Sequence, residues 1–119
     1  MKHSTTSLVV KVVDVDDNIL PVVRWLNEQQ ETTTLFSCEG YEGELGSAYV
    51  LFSCFSFKVL DQIADVLAKQ RDITTDLIVV SGHPTSPFVR FNLSFRTLKD
   101  RDAFNQLLGP KYGSTMTGF

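Results

Sequence analysis

The chain of 119 residues fits one domain and leaves no room for a second independent core. Its hydrophobic fraction of 43% and charged fraction of 21% are those of a globular protein and argue against global disorder. The formal net charge of −3 argues against a broadly basic surface for nucleic acid, and no apolar run approaches the roughly 20 residues that span a bilayer.

The N-terminus leads from a polar start into a valine-rich segment. MKHSTTS is not followed by the separate apolar core and cleavage site of a signal peptide, so we expect a cytoplasmic protein without a membrane partner. Residues 8–15 are apolar apart from Lys11 and Asp14. This predicts a strand that is covered on both faces and lies centrally in the sheet.

The first helix is predicted over residues 19–30. Asp16, Asp17 and Asn18 supply side chains that suit its N-terminal cap. Apolar residues then recur at the spacing of one helical face, at Ile19, Val22, Val23 and Leu26.

A long hairpin is predicted next. Residues 33–38 and 48–55 are rich in β-branched and aromatic side chains, which favours strands. Between them, residues 39–47 contain clustered glycines and glutamates, which predicts a mobile acidic tip. In such a hairpin Cys38 lies opposite Ala48 and Cys54 lies near Thr32, about 20 Å from Cys38, so we expect two free thiols.

The second half of the chain predicts two helices and two strands. Ser56 caps a helix whose inner face carries Leu60, Ile63, Ala64 and Leu67. Residues 76–81 predict another buried strand, a turn-rich break covers residues 82–87, and the alternation in residues 89–95 predicts a strand with one buried face. Thr97 and Asp100 form a capping-box pattern for a last helix that ends at Gly109, and residues 111–119 are expected to be loose.

The predicted order βαββαββα places the chain in the α+β class. Its first six elements, βαββαβ, match a ferredoxin-like split βαβ fold, in which helices cover one face of an antiparallel sheet. We expect one domain over residues 1–110, with the strand at residues 89–95 added at an edge and the C-terminal helix as a further cover.

Cys38 is the candidate nucleophile, because it ends a strand beside a glycine turn. A reactive thiol needs a base or a positive field, and His83 is the histidine that could supply one. Free cysteine more often packs as a small hydrophobe, so we favour packing for Cys38 and assign Cys54 to packing.

Metal and cofactor binding are not expected. Two cysteines and two histidines do not have the spacing of a structural zinc site. The aspartates at 14, 16 and 17 and the glutamates at 39, 42 and 44 could bind Mg²⁺ or Ca²⁺ if they converged. Helix capping and solvation of a loop explain these carboxylates better.

Arg90 and Arg96 lie on the polar side of the alternating strand and could contact phosphate or RNA. The aromatic residues Phe91 and Phe95 fall on the opposite side, whereas an RNA-binding sheet stacks bases on aromatics of its open face. Charges that discourage unwanted strand pairing explain the arginines better, which argues against a nucleic-acid partner.

Aromatic residues suggest protein contacts. Trp25 falls beside the apolar face of its helix, and Tyr49 lies near the acidic tip; side chains at such positions either anchor a partner or fill the margin of a core. Nine phenylalanines in so short a chain also leave apolar surface that a homodimer or a protein partner would cover.

One segment carries a resemblance. A helix ending in WLN, followed by TTLFSCEG, a polar insert and AYVLF, resembles a pattern in small bacterial and phage proteins; it covers residues 23–52. The SCEG segment is also similar to the Ser-Cys-Ser-Gly-Arg segment of wybutosine-synthesis proteins, which act on tRNA. This chain has Tyr41 where those proteins have arginine, and neither resemblance assigns a catalytic residue here.

The leading hypothesis is a small binding or regulatory protein, of the phage-encoded kind that the resemblance implies, which acts through protein–protein contacts. Since no catalytic set is assembled, a binding role is favoured over an enzyme. The expected binding residues are Trp25, Glu39, Tyr41, Glu42, Tyr49, Arg90 and Arg96. Two alternatives stay open: a small-ligand or thiol-dependent module with Cys38, Glu39 and His83, and an RNA-binding module.

Overall fold

The computed structural model describes residues 5–8, 13–82 and 88–112, with the backbone alone for residues 5–8, 13 and 14. In chain order the elements are β1 (Thr5–Leu8), β2 (Val13–Asp16), α1 (Leu20–Glu28), β3 (Thr32–Glu39), β4 (Ala48–Cys54), α2 (Lys58–Ala68), β5 (Thr75–Gly82), β6 (Val89–Phe95), α3 (Leu98–Leu108) and a short 3₁₀ helix (Pro110–Tyr112). None of the described helices has the length and apolar character that crossing a bilayer requires.

The main sheet has four antiparallel strands in the order β3-β4-β6-β5. With three helices beside this sheet, the α+β class is confirmed, and the arrangement is consistent with the ferredoxin-like βαβ type. The predicted place of residues 89–95 at an edge is wrong: β6 lies between β4 and β5. Its alternating residues Phe91, Leu93 and Phe95 are buried, which suits an internal strand.

The prediction of one central strand over residues 8–15 is also wrong. Within residues 8–15, Leu8 ends β1 and residues 13–15 belong to β2. These two strands pair with each other in a separate two-stranded sheet, from Thr5 opposite Asp16 to Leu8 opposite Val13. The apolar composition of a segment does not reveal which strand it pairs with, and here β1 and β2 satisfy each other's backbone groups.

The core forms between the helices and one face of the main sheet, called here the helix face. In β4, alternate residues point into it: Ala48, Val50, Phe52 and Cys54 are all buried. Phe104 of α3 joins the layers, because its ring lies edge-on to Trp25 of α1 at 5.8 Å and to Phe95 of β6 at 5.2 Å. Tyr49, Leu51, Asn92 and Ser94 lie on the opposite side, called here the outer face.

The capping predicted from the sequence is found at α3 but not at α1. The capping box of Thr97 and Asp100 is confirmed, and α3 ends before Gly109 as expected. At α1, by contrast, no side chain caps the N-terminus, and Asp16 Oδ2 instead accepts a hydrogen bond from the Glu39 backbone N–H at 3.0 Å. In α2 the buried residues are Val59, Ile63 and Val66, so the inner face is rotated from the predicted one, and Ala64 is exposed.

The residues that follow α3 contact the end of α1. The Tyr112 hydroxyl donates a hydrogen bond to Glu28 Oε1 at 2.8 Å, and Lys111 Nζ lies 3.6 Å from the same oxygen. These two residues therefore contact α1, whereas residues 113–119 lie outside the described part of the chain, and the loose tail expected from residue 111 stays a prediction.

Candidate functional site

The least covered apolar segment of the described chain is β5. Leu77, Ile78, Val79 and Val80 are 38%, 57%, 61% and 52% exposed. The sequence predicted a buried strand here, because a continuous run of branched apolar residues usually has cover on both faces. That prediction is wrong: among the described strands β5 pairs with β6 alone and lies at the edge of the sheet, and the described helices leave both of its faces open.

The register of β5 against β6 assigns each side chain to a face. Leu77 lies opposite Leu93 and Val79 opposite Phe91, so both belong to the helix face. Ile78 lies opposite Asn92 and belongs to the outer face. A bulge at Val80, between Val79 and Ser81, ends the regular pairing. The strand therefore presents apolar side chains on both faces of its regular segment, residues 75–79.

The outer side of β5 also presents backbone groups. The Arg96 N–H donates to the Thr74 carbonyl oxygen at 3.1 Å, so Thr74 directs its carbonyl toward the β6 side. Backbone polar groups alternate between the two sides of a strand. Those of Thr75, Leu77 and Val79 therefore point away from β6, on a side where none of the described strands pairs with β5.

Three phenylalanines extend the apolar surface. Phe57, just before α2, lies edge-on to Phe91 with 6.2 Å between ring centroids, and Phe91 lies beside Val79 in the sheet. Phe55 and Phe88 contact each other edge-to-face at 5.3 Å. Each of the three rings is about half exposed. We call the following residues the β5 rim: Phe55, Phe57, Leu77, Ile78, Val79, Val80 and Phe88.

The β5 rim was missed at the sequence level. One signal could have found part of it: Phe55 and Phe57 flank Ser56 immediately before the helix, outside the apolar face on which α2 packs. For β5 itself no such signal exists, since a partner molecule and the chain's own core require the same residue types.

Two opposite charges lie near the ends of this edge. Asp76 at the start of β5 and Arg90, opposite Ser81 after the bulge, are exposed on the outer face. They are too far apart along the sheet to meet within one chain. Neither forms an ion pair within the described residues.

Two of the predicted binding residues are buried. Trp25 is 7% exposed and contacts Phe104, so it fills the core and is not available to a partner. Glu39 is also 7% exposed; it ends β3 and lies outside the tip loop. Its Oε1 accepts from the Asn18 N–H at 3.0 Å, and its carbonyl oxygen accepts from Arg101 Nη1 at 2.6 Å. Both residues were predicted to bind because they were expected to be exposed, and the structure buries them.

The other predicted hairpin residues do lie at the surface. Tyr41 and Glu42 are exposed and Tyr49 is half-buried. The tip loop is hydrogen-bonded: Ser47 Oγ accepts from the Tyr41 N–H at 2.8 Å, and the Gly46 N–H donates to the Arg96 carbonyl at 2.9 Å. These contacts tie the tip to the end of β6, and the mobility expected of this acidic insert stays a prediction.

The two cysteines do not form a disulfide, as expected. Cys54 lies opposite Thr32, as predicted, and Cys38 lies opposite Tyr49, one position from the predicted Ala48. Burial raises the pKa of the Cys54 thiol. Cys38 is half-buried, and its Sγ accepts from the Gly40 N–H at 3.4 Å. His83 lies outside the described residues, so the Cys38–His83 pair stays a prediction.

The arginine strip has the predicted arrangement. Arg90 and Arg96 are exposed, while Phe91 and Phe95 are buried on the helix face. Two aromatics do lie on the outer face, the half-buried Tyr49, which was predicted as a contact residue of the hairpin, and the exposed Phe36, which was not singled out. The RNA-binding hypothesis stays a prediction. Within residues 13–82 and 88–112, no three His, Cys, Asp or Glu side chains are grouped to hold a metal ion.

Comparison with protein-family models, with curated proteins and with solved structures finds no match to this chain. The resemblances to small bacterial and phage proteins and to wybutosine-synthesis proteins therefore stay predictions.

Proposed function

We propose that the protein is a small binding protein that acts through protein–protein contacts, and that the β5 rim is its contact surface. The observation that carries this proposal is the exposure of four consecutive branched apolar residues, Leu77 to Val80, on an edge strand. Contiguous apolar surface of this kind marks interaction sites in folded proteins.

The edge supports a particular way of binding. Proteins usually protect an edge strand with lysine, proline, inward-pointing charge or a bulge. Leu77, Ile78 and Val79 carry none of these, and the bulge at Val80 limits the open edge to the regular segment, residues 75–79. The outward backbone groups of Thr75, Leu77 and Val79 suit the addition of an extended strand from a partner. In strand addition the backbone hydrogen bonds supply affinity and the alternating side chains supply specificity.

The proposal moves the contact surface from the place that the sequence indicated. Trp25 cannot serve, because it is buried against Phe104. Tyr41 and Glu42 remain exposed at the tip loop, but they lie beside β3, at the opposite edge of the sheet from β5. The hypothesis of a protein partner or homodimer is retained with a different set of residues.

A pair of matched variants tests the proposal. Ile78→Lys places a charge in the middle of the β5 edge. Thr33→Lys places the same charge on the exposed outer face of β3, the other edge strand. Both side chains are exposed, so both variants should fold like the wild type, as checked by circular dichroism.

Binding is measured by sedimentation of the purified chain and by quantitative capture from an extract of its source cells. We expect self-association, or one captured protein, to be lost in Ile78→Lys and kept in Thr33→Lys. The proposal fails if the wild type is monomeric and every captured protein binds the Ile78→Lys variant equally well.

A further inference from the structure

We infer that the partner of the β5 edge is a second copy of this chain, which pairs antiparallel across a two-fold axis at Ile78 and joins two four-stranded sheets into one of eight strands. The inference rests on the proposed function, since it names the partner of the same surface. It is carried by the register, the side chains and the charges of β5.

The register is restricted by the backbone. Outward-facing residues of one copy must meet outward-facing residues of the other, because these carry the available N–H and C=O groups. Thr75, Leu77 and Val79 face outward, and the registers that pair at least two of these residues place the two-fold axis at residue 76, 77 or 78.

The side chains distinguish these three registers. An axis at Asp76 would place two like charges directly opposite each other, which is destabilising. An axis at Leu77 would place each Asp76 opposite an Ile78 of the other copy, level with the uncharged Asn92 one strand further on. An axis at Ile78 instead pairs Ile78 with its own copy on the outer face and Leu77 with Val79 on the helix face.

The same register is favourable for the charges. With the axis at Ile78, Asp76 of one copy lies opposite Val80 in β5 of the other copy. Arg90 lies at the same height in β6 of that second copy, the strand next to its β5. Two strand spacings separate the backbones by about 10 Å, a distance that an arginine and an aspartate side chain bridge together. Both side chains are on the outer face, so the dimer contains two such pairs.

Phe57 adds cover on the other face. Its ring lies over Phe91, which neighbours Val79 in the sheet. In the dimer Val79 neighbours Leu77 of the second copy, so Phe57 extends toward that side chain. The contact is confined to one strand edge and its flanking side chains, which is less than the roughly 800 Å² per partner of a standard interface, so we expect a weak dimer with a dissociation constant between about 1 µM and 1 mM.

Sedimentation equilibrium of the full chain, from about 1 µM to about 1 mM, spans this affinity range. The wild type and Thr33→Lys should dimerise, and Ile78→Lys should weaken dimerisation by about tenfold or more, because two lysines would face each other at the axis. A wild type that stays monomeric throughout, or a dimer unaffected by Ile78→Lys, overturns the inference.

Charge reversal tests the register independently. Asp76→Lys and Arg90→Glu should each weaken the dimer, and the double variant should restore it. Since the two residues do not meet within one chain, rescue requires contact between copies. No rescue overturns the register at Ile78.

A cysteine cross-link gives a direct readout. In a Cys38→Ser background, Ile78→Cys should form a disulfide-linked dimer on mild oxidation, faster than Thr33→Cys. Equal rates overturn the inference.

The proposed function and this inference fail separately. A monomeric wild type that captures another protein, with capture lost in Ile78→Lys, rejects the second copy as the partner and keeps the β5 rim as a binding surface. If the wild type is monomeric and captures every protein as strongly as the Ile78→Lys variant does, both the proposed function and the dimer are rejected.

Discussion

Arg101 in α3 donates a hydrogen bond from Nη1 to the backbone carbonyl oxygen of Glu39 at 2.6 Å, across 62 positions of sequence. Both residues are buried, and the bond joins the last helix to the end of β3. The guanidinium is also held by Asp102, whose Oδ1 accepts from Arg101 Nε at 2.9 Å and Nη2 at 2.7 Å. A buried cation is thereby paired with one carboxylate and one carbonyl.

Replacing Arg101 should destabilise the fold. Arg101→Met keeps the apolar stem and removes the donors, which leaves the Glu39 carbonyl without this partner. We expect a loss of about 2 kcal/mol in the free energy of unfolding, the typical cost of a hydrogen bond to a charged group. Asp102→Asn is the control, because Asp102 is largely exposed and its ion pair should contribute about 0.5 kcal/mol. Urea unfolding measures both; equal losses would contradict the prediction.

Glu39 and Glu42 should respond differently to truncation. Glu39→Ala removes the acceptor of the Asn18 N–H, and we expect it to cost about 2 kcal/mol. Glu42 is exposed in the tip loop, so Glu42→Ala should change stability by less than about 0.5 kcal/mol. Thermal unfolding of the two variants tests whether Glu39 is structural. If Glu39→Ala unfolds like the wild type, its burial does not stabilise the chain.

Local patterns predicted much of the fold. The alternation in residues 89–95 assigned the faces of β6 correctly, and the pair of Thr97 and Asp100 located the start of α3. Both signals are contained within a few neighbouring residues, because strand faces and helix caps depend on local geometry.

The errors concern choices between distant parts of the chain. The order of strands in the sheet, and the pairing of β1 with β2, depend on which segments meet after folding. Contacts between distant segments also decided which predicted binding residues are buried. Phe104 of α3 covers Trp25, and Arg101 of α3 donates to the Glu39 carbonyl oxygen. For β5, composition indicated burial, and composition alone does not tell an internal strand from an exposed edge strand.

Stability should depend on the ionisation of Asp100. Burial by itself raises the pKa of this carboxyl, but hydrogen bonds from the Thr97 side chain and from the Thr74 and Thr97 backbone, together with the charge of Arg96, outweigh burial and hold the pKa below its usual value. The carboxylate therefore stabilises the folded state above the unfolded pKa of about 3.9, and this contribution is lost as the pH falls through the folded-state pKa.

The measurement is urea unfolding of the wild type and Asp100→Asn between pH 7 and pH 2.5. At pH 7 the wild type should be more stable by about 1 kcal/mol, the usual value of a cap. The difference should shrink as the pH falls below about 4. A difference that stays constant with pH would show that the carboxylate charge does not contribute.

Alanine substitutions at Gly40 and Gly43 should distinguish the cost of a steric clash from the cost of a left-handed backbone. Both have positive φ angles, +94° and +83°. A Cβ at Gly40 would lie 2.7 Å from Leu98 Cδ2 and 2.9 Å from the Ala48 backbone nitrogen, whereas a Cβ at Gly43 would meet no atom within 4 Å. Gly43→Ala should cost about 1 kcal/mol for the left-handed backbone alone.

Gly40→Ala adds a clash with a strand backbone and should cost about 3 kcal/mol. Chemical denaturation of the two variants gives the comparison. Equal losses would mean that β4 and α3 yield to the added methyl group without cost.

The two thiols should differ in reactivity with a neutral thiol reagent. Cys54 is fully buried and burial raises the pKa of its thiol, so both access and thiolate formation are disfavoured. Cys38 is half-buried and should react first. We expect one fast and one slow phase in the native protein, both fast in urea, with the fast native phase absent in Cys38→Ser. A fast phase that persists in Cys38→Ser would contradict this assignment.

The same reagent tests the thiol-dependent alternative. Rapid labelling of Cys38 at pH 6, where an ordinary thiol is almost entirely protonated, would favour that alternative.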